Sequence, residues 1–291
     1  MRCDLHVHTA HSGMCSTPLL GRICRESYSA PGDVYDLLKR RGMELVTVTD
    51  HDSVGAAEKL RHFPDFFSSE EVSCESPSGT RLHAGVYDVT ERQHVELQRR
   101  RSDLISLLAY LLEQRLFFSI NHAFSGLTGR RSAADFAFFE DHFPAIETLN
   151  GQMLAACNRP AALLAARAEK VALAGSDGHT LSSIGTAFTE VRGARNKQEF
   201  LEGLRQGLGV VHGTSGNFGR LTLTVLEIGT SLMREKRWTL LLAPLMLAVP
   251  AVTLANCVRE IGFAGKWARR VGVAAAEPNW LEQPNAEVTS A

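Results

Sequence analysis

The chain has 291 residues, of which 44% are apolar, and a formal net charge of −1. A near-neutral net charge excludes the overall positive potential by which many proteins bind nucleic acid. The length favours one large α/β domain with an appendage over two equal domains. The six cysteines are scattered without a CxxC pair, which predicts reduced thiols in the cytoplasm. The amino terminus runs directly into a predicted strand, so no signal peptide is expected.

Strands and helices are predicted to alternate through the first two-thirds of the chain. Short apolar or β-branched runs predict strands at 1–8, 44–49, 70–74, 81–86, 116–121, 145–150, 171–176 and 208–212. Segments with helical periodicity lie between them, at 31–41, 53–62, 90–115, 155–168 and 197–206. Such alternation predicts βα units wound into a barrel-like fold over residues 1–216.

The character of the chain changes after Gly216. Residues 217–273 are predicted to form a helical, apolar extension, and 274–291 are small and polar and are expected to be disordered. The stretch 239–258 is uncharged over about the length that crosses a bilayer core, ~20 residues.

Two interpretations of this apolar stretch stay open. Basic residues flank both ends, as expected for a membrane helix that would associate the protein with a membrane. The alternative is a pair of short helices, broken at Pro244 or Pro250 and packed on the barrel or on a partner. The prolines, Asn256 and the lack of a charge asymmetry that would orient a span favour the pair.

Four clusters of histidine and acid follow predicted strands, at residues 4–9, 49–52, 121–122 and 175–179. Side chains at the carboxyl ends of successive strands can converge at the mouth of a barrel. Imidazoles and carboxylates that converge are typical metal ligands. The pattern therefore predicts a metallohydrolase.

The ordered set of motifs resembles the PHP (polymerase and histidinol phosphatase) superfamily over roughly residues 1–216, and especially its stand-alone metal-dependent phosphoesterases. The motifs are His6-x-His8 after Asp-Leu, Thr-Asp50-His51, Glu71-Val-Ser, His83, His122 and Asp177-x-His179. The resemblance implies a distorted seven-stranded βα barrel, similar to a TIM barrel, with a binuclear or trinuclear metal centre.

The resemblance also implies a ligand set. It comprises His6, His8, Glu71 and Asp177 for a first ion, a bridging Glu71 with His83 and His122 for a second, and His51 and His179 for a third. Glu71, Asp177 and His179 are the expected catalytic residues. Two divalent ions about 3.5–4 Å apart can clamp the attacking and leaving oxygens and make a water reactive near neutral pH. Mixed ligation of this kind suits Mn, Zn or Fe.

Three acids are expected to support these ligands. Asp4 and Asp50 lie beside motif histidines, where a carboxylate can accept the far ring N–H and fix the tautomer. Glu147 follows another predicted strand, and its role is either outer support or a turn contact.

The bridging glutamate has neighbours that could replace it. Glu71 matches the family pattern best. Strand alternation places Glu70 on the opposite face and leaves Glu75, on the same face, as the second choice.

One departure from the family pattern concerns the third ion. Many three-metal members carry an Asp or His five or six residues after the second histidine, where this chain has Gly13 and Met14. His11 and Cys15 are off register. The sequence therefore leaves two ions and three ions as alternatives.

A substrate phosphate needs a cation, and arginine suits phosphate recognition. The first candidates are loop arginines near motif histidines, namely Arg22, Arg25, Arg130 and Arg131.

The leading functional hypothesis is hydrolysis of a small phosphate monoester or of a nucleotide or oligonucleotide phosphate. The second is a nuclease that trims single-stranded ends, which the aromatic content of 7% makes weaker. The third is a non-catalytic metal-binding module tethered by its C-terminal segment. The oligomeric state is not determined by the sequence.

Overall fold

A computed structural model describes residues 1–15 and 20–273. Within these ranges the strands are β1 (Arg2–Cys3), β2 (Val46–Val48), β3 (Phe66–Glu75), β4 (Arg81–Tyr87), β5 (Phe117–Ile120), β6 (Ala145–Asn150), β7 (Val171–Gly175), β8 (Ala187–Val191) and β9 (Gly209–Gly213). The α-helices are α1 (Pro31–Arg40), α2 (Ala57–Leu60), α3 (Glu91–Arg100), α4 (Leu104–Glu113), α5 (Ala133–His142), α6 (Ala155–Arg167), α7 (Lys197–Arg205), α8 (Phe218–Glu235) and α9 (Val249–Arg270). The predicted α/β class is confirmed.

The strands form two sheets. One has the order β2-β3-β4-β5-β6-β7, and the other has the order β1-β8-β9. β2 pairs with β3 in parallel, as β5, β6 and β7 do, but β4 runs antiparallel to both of its neighbours. The larger sheet is a curled half-barrel. It departs from a regular βα barrel at β3 and β4, which are joined as a hairpin and not through a helical crossover.

The segment after β1 lies between the two ends of this half-barrel. The backbone oxygen of Val7 accepts a hydrogen bond from Thr49 N at 2.8 Å, beside the end of β2. On the other side, His6 O accepts from Asp177 N and His8 N donates to Gly178 O, beyond the end of β7. The amino-terminal motif is thus held at the carboxyl ends of both flanking strands.

Some predicted elements are corrected. Only Arg2–Cys3 of the predicted first strand pairs in a ladder, and its antiparallel partner β8 was missed by sequence. The predicted helix 90–115 is two helices, because Asp103 caps α4 by accepting from the amides of Ile105 and Ser106. The predicted helix 53–62 is reduced to α2.

The largest hydrophobic core of the described residues lies between β3–β6 and the helices α3–α6. Buried rings, among them Phe118, Phe136 and Phe139, pack together there, and Trp267 of α9 joins them with its ring 5.5 Å from that of Phe136. The C-terminal half of α9 is therefore part of the main core.

The apolar stretch forms a 3-10 helix, Arg237–Ala248, that continues into α9 with Pro250 in the first turn of α9. In the described chain, Arg237–Arg270 is long and apolar enough to cross a membrane by length and composition, and 11% of its most apolar window is buried. Its outer leucines are strongly exposed, with Leu241 at 84% and Leu247 at 87%. The predicted tail 274–291 lies outside the described residues.

Candidate metal centre

The eight predicted metal ligands lie together at the open end of the half-barrel. They come from the segment after β1 (His6 and His8), the end of β2 (His51), β3 (Glu71), β4 (His83), the end of β5 (His122) and the end of β7 (Asp177 and His179). His51, His83 and His179 are partly exposed, and the other five are buried. Four overlapping groups of these residues are spaced closely enough to share metal ions: His6, His8 and Asp177; His6, Glu71 and His122; His51, Glu71 and His83; and His8, His51 and His179.

Glu71 lies at the centre of this cluster. Its Oε1 atom is 3.1 Å from Nε2 of His122, 3.3 Å from Nε2 of His6 and 3.4 Å from Nδ1 of His83. Its Oε2 atom is 3.0 Å from Nδ1 of His51 and 3.5 Å from Nε2 of His8. The two oxygens thus face different sets of imidazoles, so this carboxylate could help to hold two ions if both were bound.

The alternative glutamates are placed elsewhere. Glu70 points to the other face of β3, where its Oε2 lies 2.9 Å from Nδ1 of His94. Glu75 is exposed. Side-chain alternation along the strand therefore places Glu71 among the imidazoles.

Asp177 completes the deepest group. Its Oδ1 atom lies 3.2 Å from Nε2 of His8 and 3.5 Å from Nε2 of His6. The backbone of Asp177 has a left-handed φ of 52°, and that of His122 has a φ of 31°. Such conformations are rare outside glycine and concentrate at functional sites. Gly175 is required nearby, because an added Cβ would lie 2.3 Å from Cβ of His6.

Three ligand imidazoles have Nδ1 held by a supporting group, and their Nε2 atoms face one another or the carboxylates of the cluster. Nδ1 of His6 is 2.7 Å from Glu147 Oε1, and Nδ1 of His179 is 2.9 Å from the backbone oxygen of Asp177. Nδ1 of His8 faces the hydroxyl of Ser12, which itself donates to Asp50. Because each of these partners accepts the Nδ1 proton, Nε2 is left with a lone pair for a cation.

The predicted supporting acids therefore differ in their roles. Glu147 directly accepts from the ring of His6, and its other oxygen accepts from the amide of His122 at 2.9 Å. Asp50 acts through Ser12 rather than directly on an imidazole. Asp4 binds backbone amides, those of Ser176 and Gly185, each at 2.8 Å, and so fixes the turn that carries Asp177.

The polar atoms of the cluster fit metal ions. Among the described residues, several buried atoms that face one another have no hydrogen-bond partner: Glu26 Oε2, His51 Nδ1, Glu71 Oε2 and His83 Nδ1. Leaving such atoms unsatisfied is costly, and a cation held by His51, Glu71 and His83 would satisfy three of them. The buried clusters thus have the composition of a multinuclear metal site.

The pKa values of Glu71 and His8 agree with this composition, whereas carboxylates including Glu71 outweigh burial and raise the pKa of His6 and that of His51, the latter to about 9. Burial raises the pKa of Glu71, but the imidazoles of His6, His83 and His51 lower it more, so its net pKa lies well below the ordinary value. Burial, together with His179 and His51, holds the pKa of His8 well below its ordinary value. A charged carboxylate and a neutral imidazole are the forms that bind metals.

Sequence reasoning missed Glu26, which lies in the loop before α1. Its Oε2 atom is 2.8 Å from Nε2 of His51 and 3.9 Å from Nε2 of His179. The backbone amide of Glu26 donates to the backbone oxygen of Gly13, so this carboxylate lies next to the segment that carries Gly13 and Met14. No sequence signal identifies it, because Glu26 is in no motif and only the loop conformation brings it to the histidines.

A cavity of about 590 Å³ opens beside the cluster, and two arginines that the sequence analysis did not select line it. Its walls include Glu26, His51 and His83 together with Arg81 and Arg101. Arg81 could have been found from the sequence, because it lies two residues before His83 and strand alternation puts both on one face.

The arginines that were selected lie in other environments. Arg131 donates to the backbone oxygen of Arg81 and to Thr128, so its charge is used within the protein. Arg130 lines a separate cavity with Arg259 and Lys266. Arg25 pairs with Glu235 at 2.9 Å. Arg22 is the last residue of a short 3-10 helix, Leu20–Arg22, which precedes the loop that carries Glu26.

Comparisons with known proteins give a consistent fold. A family model described as PHP-associated matches residues 156–208, which carry Asp177 and His179. An uncharacterized protein of Methanocaldococcus jannaschii is 28% identical over 76 residues, which are 25% of this chain and 41% of that protein. The chain thus spans less than half of this curated relative.

Two solved structures resemble most of the chain in fold. One is a two-domain protein of Bacteroides vulgatus described as containing a predicted PHP-like metal-dependent phosphoesterase, with a TM-score of 0.56 and 15% identity over 73% of this chain and 64% of that chain. The other is PsfC of Pseudomonas syringae, with a TM-score of 0.53 and 17% identity over 80% of this chain and 98% of that chain. The chain has the α/β half-barrel fold of the PHP superfamily, with a PHP-like metal-dependent phosphoesterase among its structural neighbours.

Proposed function

We propose that the protein is a metal-dependent phosphoesterase that hydrolyses a phosphate monoester, with nucleotides among the candidate substrates. The position of Glu71 is the observation that carries this proposal, since one buried carboxylate faces two sets of imidazoles through its two oxygens. Divalent ions such as Mn, Zn or Fe, when bound there, would supply Lewis-acid chemistry and activate water.

Different residues of the cluster would hold each of these ions. His6, His8 and Asp177 would hold one ion, Glu71 with His83 and His122 a second, and His51 with His179 and Glu26 a third. The imidazoles are held by Glu147, Ser12 and the backbone of Asp177, which fixes their orientation before any substrate arrives.

Arg81 and Arg101 would bind the substrate phosphate. Both line the cavity beside His51 and His83, and an arginine fork suits the oxygens of a phosphate. Arg101 also pairs with Asp52 at 2.5 Å, so Arg81 is the freer of the two to approach a substrate.

A monoester fits this cavity better than single-stranded nucleic acid. Non-specific strand binding uses aromatic side chains on which bases stack. The described walls of the cavity carry no Phe, Tyr or Trp.

The test is hydrolysis of p-nitrophenyl phosphate by the purified chain with Mn²⁺. We expect Asp177→Ala and His8→Ala to lose at least 100-fold in kcat/KM, which corresponds to about 2.7 kcal/mol. The matched control is His212→Ala, because His212 pairs with Glu190 at 2.9 Å away from the cluster. Equal rates in all four proteins would remove the proposal. Fewer than two bound ions per chain would favour a non-catalytic metal-binding module instead.

A further inference from the structure

A second cavity, of about 530 Å³, lies against other residues of the same cluster. It lies between α8, the 3-10 helix Arg237–Ala248 and the first half of α9. Asp177 and His179 form part of its wall, so it is continuous with the candidate metal centre. Its size is in the range of small-molecule sites.

The walls of this cavity are apolar away from the metal ligands. Most of the lining residues from the three helical segments are aliphatic or contain sulfur, including Ile228, Leu232, Leu242, Met246, Val249 and Val252. The polar lining residues of these segments are Thr224, Thr239, Thr253, Asn256 and Glu260. The polar groups among them are partly used within the protein, since Thr239 donates to the backbone oxygen of Lys236 and Thr224 accepts from Gln152. The cavity therefore offers hydrophobic contact and little hydrogen bonding.

The helices that form the cavity are tied to the loops that carry the metal ligands. Glu260 of α9 accepts from Ser125 at 2.7 Å and from the amide of Gly126, three and four residues after His122. Glu227 of α8 accepts from Ser182 at 2.6 Å, three residues after His179. These bonds hold the apolar walls in a fixed position relative to the cluster.

Because Asp177 and His179 line this cavity, its occupant must be compatible with candidate metal ligands in the wall. A docked protein segment would have to place an apolar side chain against metal ligands. A substrate whose reacting phosphate sits at the cluster would instead place the group attached to that phosphate directly in this space. The apolar walls then select a group without hydrogen-bonding needs.

We propose that the substrate is an amphiphilic phosphate monoester whose long alkyl or acyl chain occupies this cavity. The proposal rests on the proposed phosphoesterase function and names the class of its leaving group. In the reaction the oxygen of water forms a bond to phosphorus, and the bond breaks between phosphorus and the ester oxygen of the alcohol that carries the alkyl or acyl chain. A proton from the water passes to that oxygen, which gives an alcohol and inorganic phosphate.

The experiment measures binding rather than turnover, by calorimetry on the Mn²⁺-loaded full chain. The probes are butyl, octyl and dodecyl phosphonate, which cannot be hydrolysed, each used below its critical micelle concentration. Each buried methylene is worth up to about a fourfold gain in affinity. Even partial burial of the alkyl chain therefore predicts that dodecyl phosphonate binds at least 100-fold more tightly than butyl phosphonate. Equal affinities across the series in the wild-type protein would overturn the proposal.

Two pairs of variants locate the effect. Ile228→Glu and Val249→Glu place a charge in the cavity wall and are expected to reduce the 100-fold preference to less than fivefold. Leu241→Glu and Leu247→Glu are the matched controls, because both leucines face solvent on the 3-10 helix that continues into α9 at Val249, and neither lines the cavity. Equal loss in both pairs would also overturn the proposal.

Two further outcomes are distinguished. If the chain-length preference is present but p-nitrophenyl phosphate is not hydrolysed, the apolar site stands and the phosphoesterase proposal fails. If sedimentation shows that the wall variants convert a dimer to a monomer and leave the chain-length preference intact, the cavity is a self-association surface and the inference is wrong. Circular dichroism of each variant identifies misfolded protein, and in that case the wild-type series alone decides.

Discussion

The Oε1 atom of Glu147 lies 2.7 Å from Nδ1 of His6, the ring nitrogen that faces away from the candidate metal centre. The same carboxylate accepts from the backbone amide of His122. One side chain from β6 therefore orients ligands from two other elements.

We expect Glu147→Gln to weaken metal binding about 10- to 100-fold, because an amide is a weaker acceptor for the ring proton of His6. The measurement is the dissociation constant for Mn²⁺ by competition with a chelating dye. Glu190→Gln is the control, since Glu190 also contacts a histidine, His212, but outside the cluster. Unchanged affinity in Glu147→Gln would contradict this role.

Glu26 gives a prediction about the number of ions. Its Oε2 atom lies 2.8 Å from Nε2 of His51, where it can complete a third site with His179. We expect Glu26→Gln to bind one ion fewer per chain after dialysis, as measured by inductively coupled plasma mass spectrometry. Glu44→Gln serves as control, because Glu44 lies on the far side of the domain near the amino terminus. The same stoichiometry in Glu26→Gln and wild type would show that Glu26 holds no ion.

Arg81 is expected to act on substrate binding. Removing a charge-assisted hydrogen bond to phosphate costs about 1.5 kcal/mol, so Arg81→Ala should raise KM for p-nitrophenyl phosphate roughly tenfold with a smaller change in kcat. Arg99→Ala is a suitable control, because Arg99 is exposed on α3 and pairs with Glu96. A selective fall in kcat with unchanged KM would assign Arg81 to the chemical step instead.

The exposed leucines of the 3-10 helix predict binding to lipid surfaces. Leu241 and Leu247 are among the most exposed large apolar side chains of the described chain, and basic residues including Arg234 and Arg237 lie nearby in the sequence. A basic and apolar helix of this kind binds anionic bilayers. We expect co-sedimentation with vesicles of 30% anionic lipid, reduced at least fivefold in the double variant Leu241→Glu and Leu247→Glu. Sedimentation that is equal for the two proteins would contradict a membrane role for this face.

The pair of His94 and Glu70 predicts how stability depends on pH. The hydrogen bond to Glu70 raises the pKa of His94 from its ordinary value of 6.5, against the opposing effect of burial. A raised folded-state pKa means that the folded chain binds the proton more tightly than the unfolded chain. The stabilisation is therefore fully present below pH 6.5 and is lost as the pH rises through the folded-state pKa.

The check is urea unfolding of the metal-free protein between pH 5.5 and 8.5. His94→Gln should lower the free energy of unfolding by about 1–2 kcal/mol at pH 5.5, with a smaller difference at pH 8.5. His142→Gln is the control, because His142 is exposed at the end of α5. A difference that grows with pH would reverse the sign of this linkage.

The sequence alone determined the residue types of the metal centre and their order. Polar clusters that follow apolar strands are recognisable locally, because strand periodicity and strand ends are properties of neighbouring residues. The choice of Glu71 over Glu70 also followed from alternation along a single strand, and the structure places these two side chains as alternation requires.

Only the tertiary structure decided which other groups meet this centre. Glu26 reaches it through a loop conformation, and sheet pairing decides that the carboxylate of Glu147 contacts His6. Both depend on contacts between residues far apart in the chain. The missed strand β8 and the antiparallel β4 have the same cause, since a strand's partner and direction are not encoded in its own sequence. The apolar cavity likewise exists because α8 and α9 are held beside Asp177 and His179, and hydropathy along the chain carries no information about that distance.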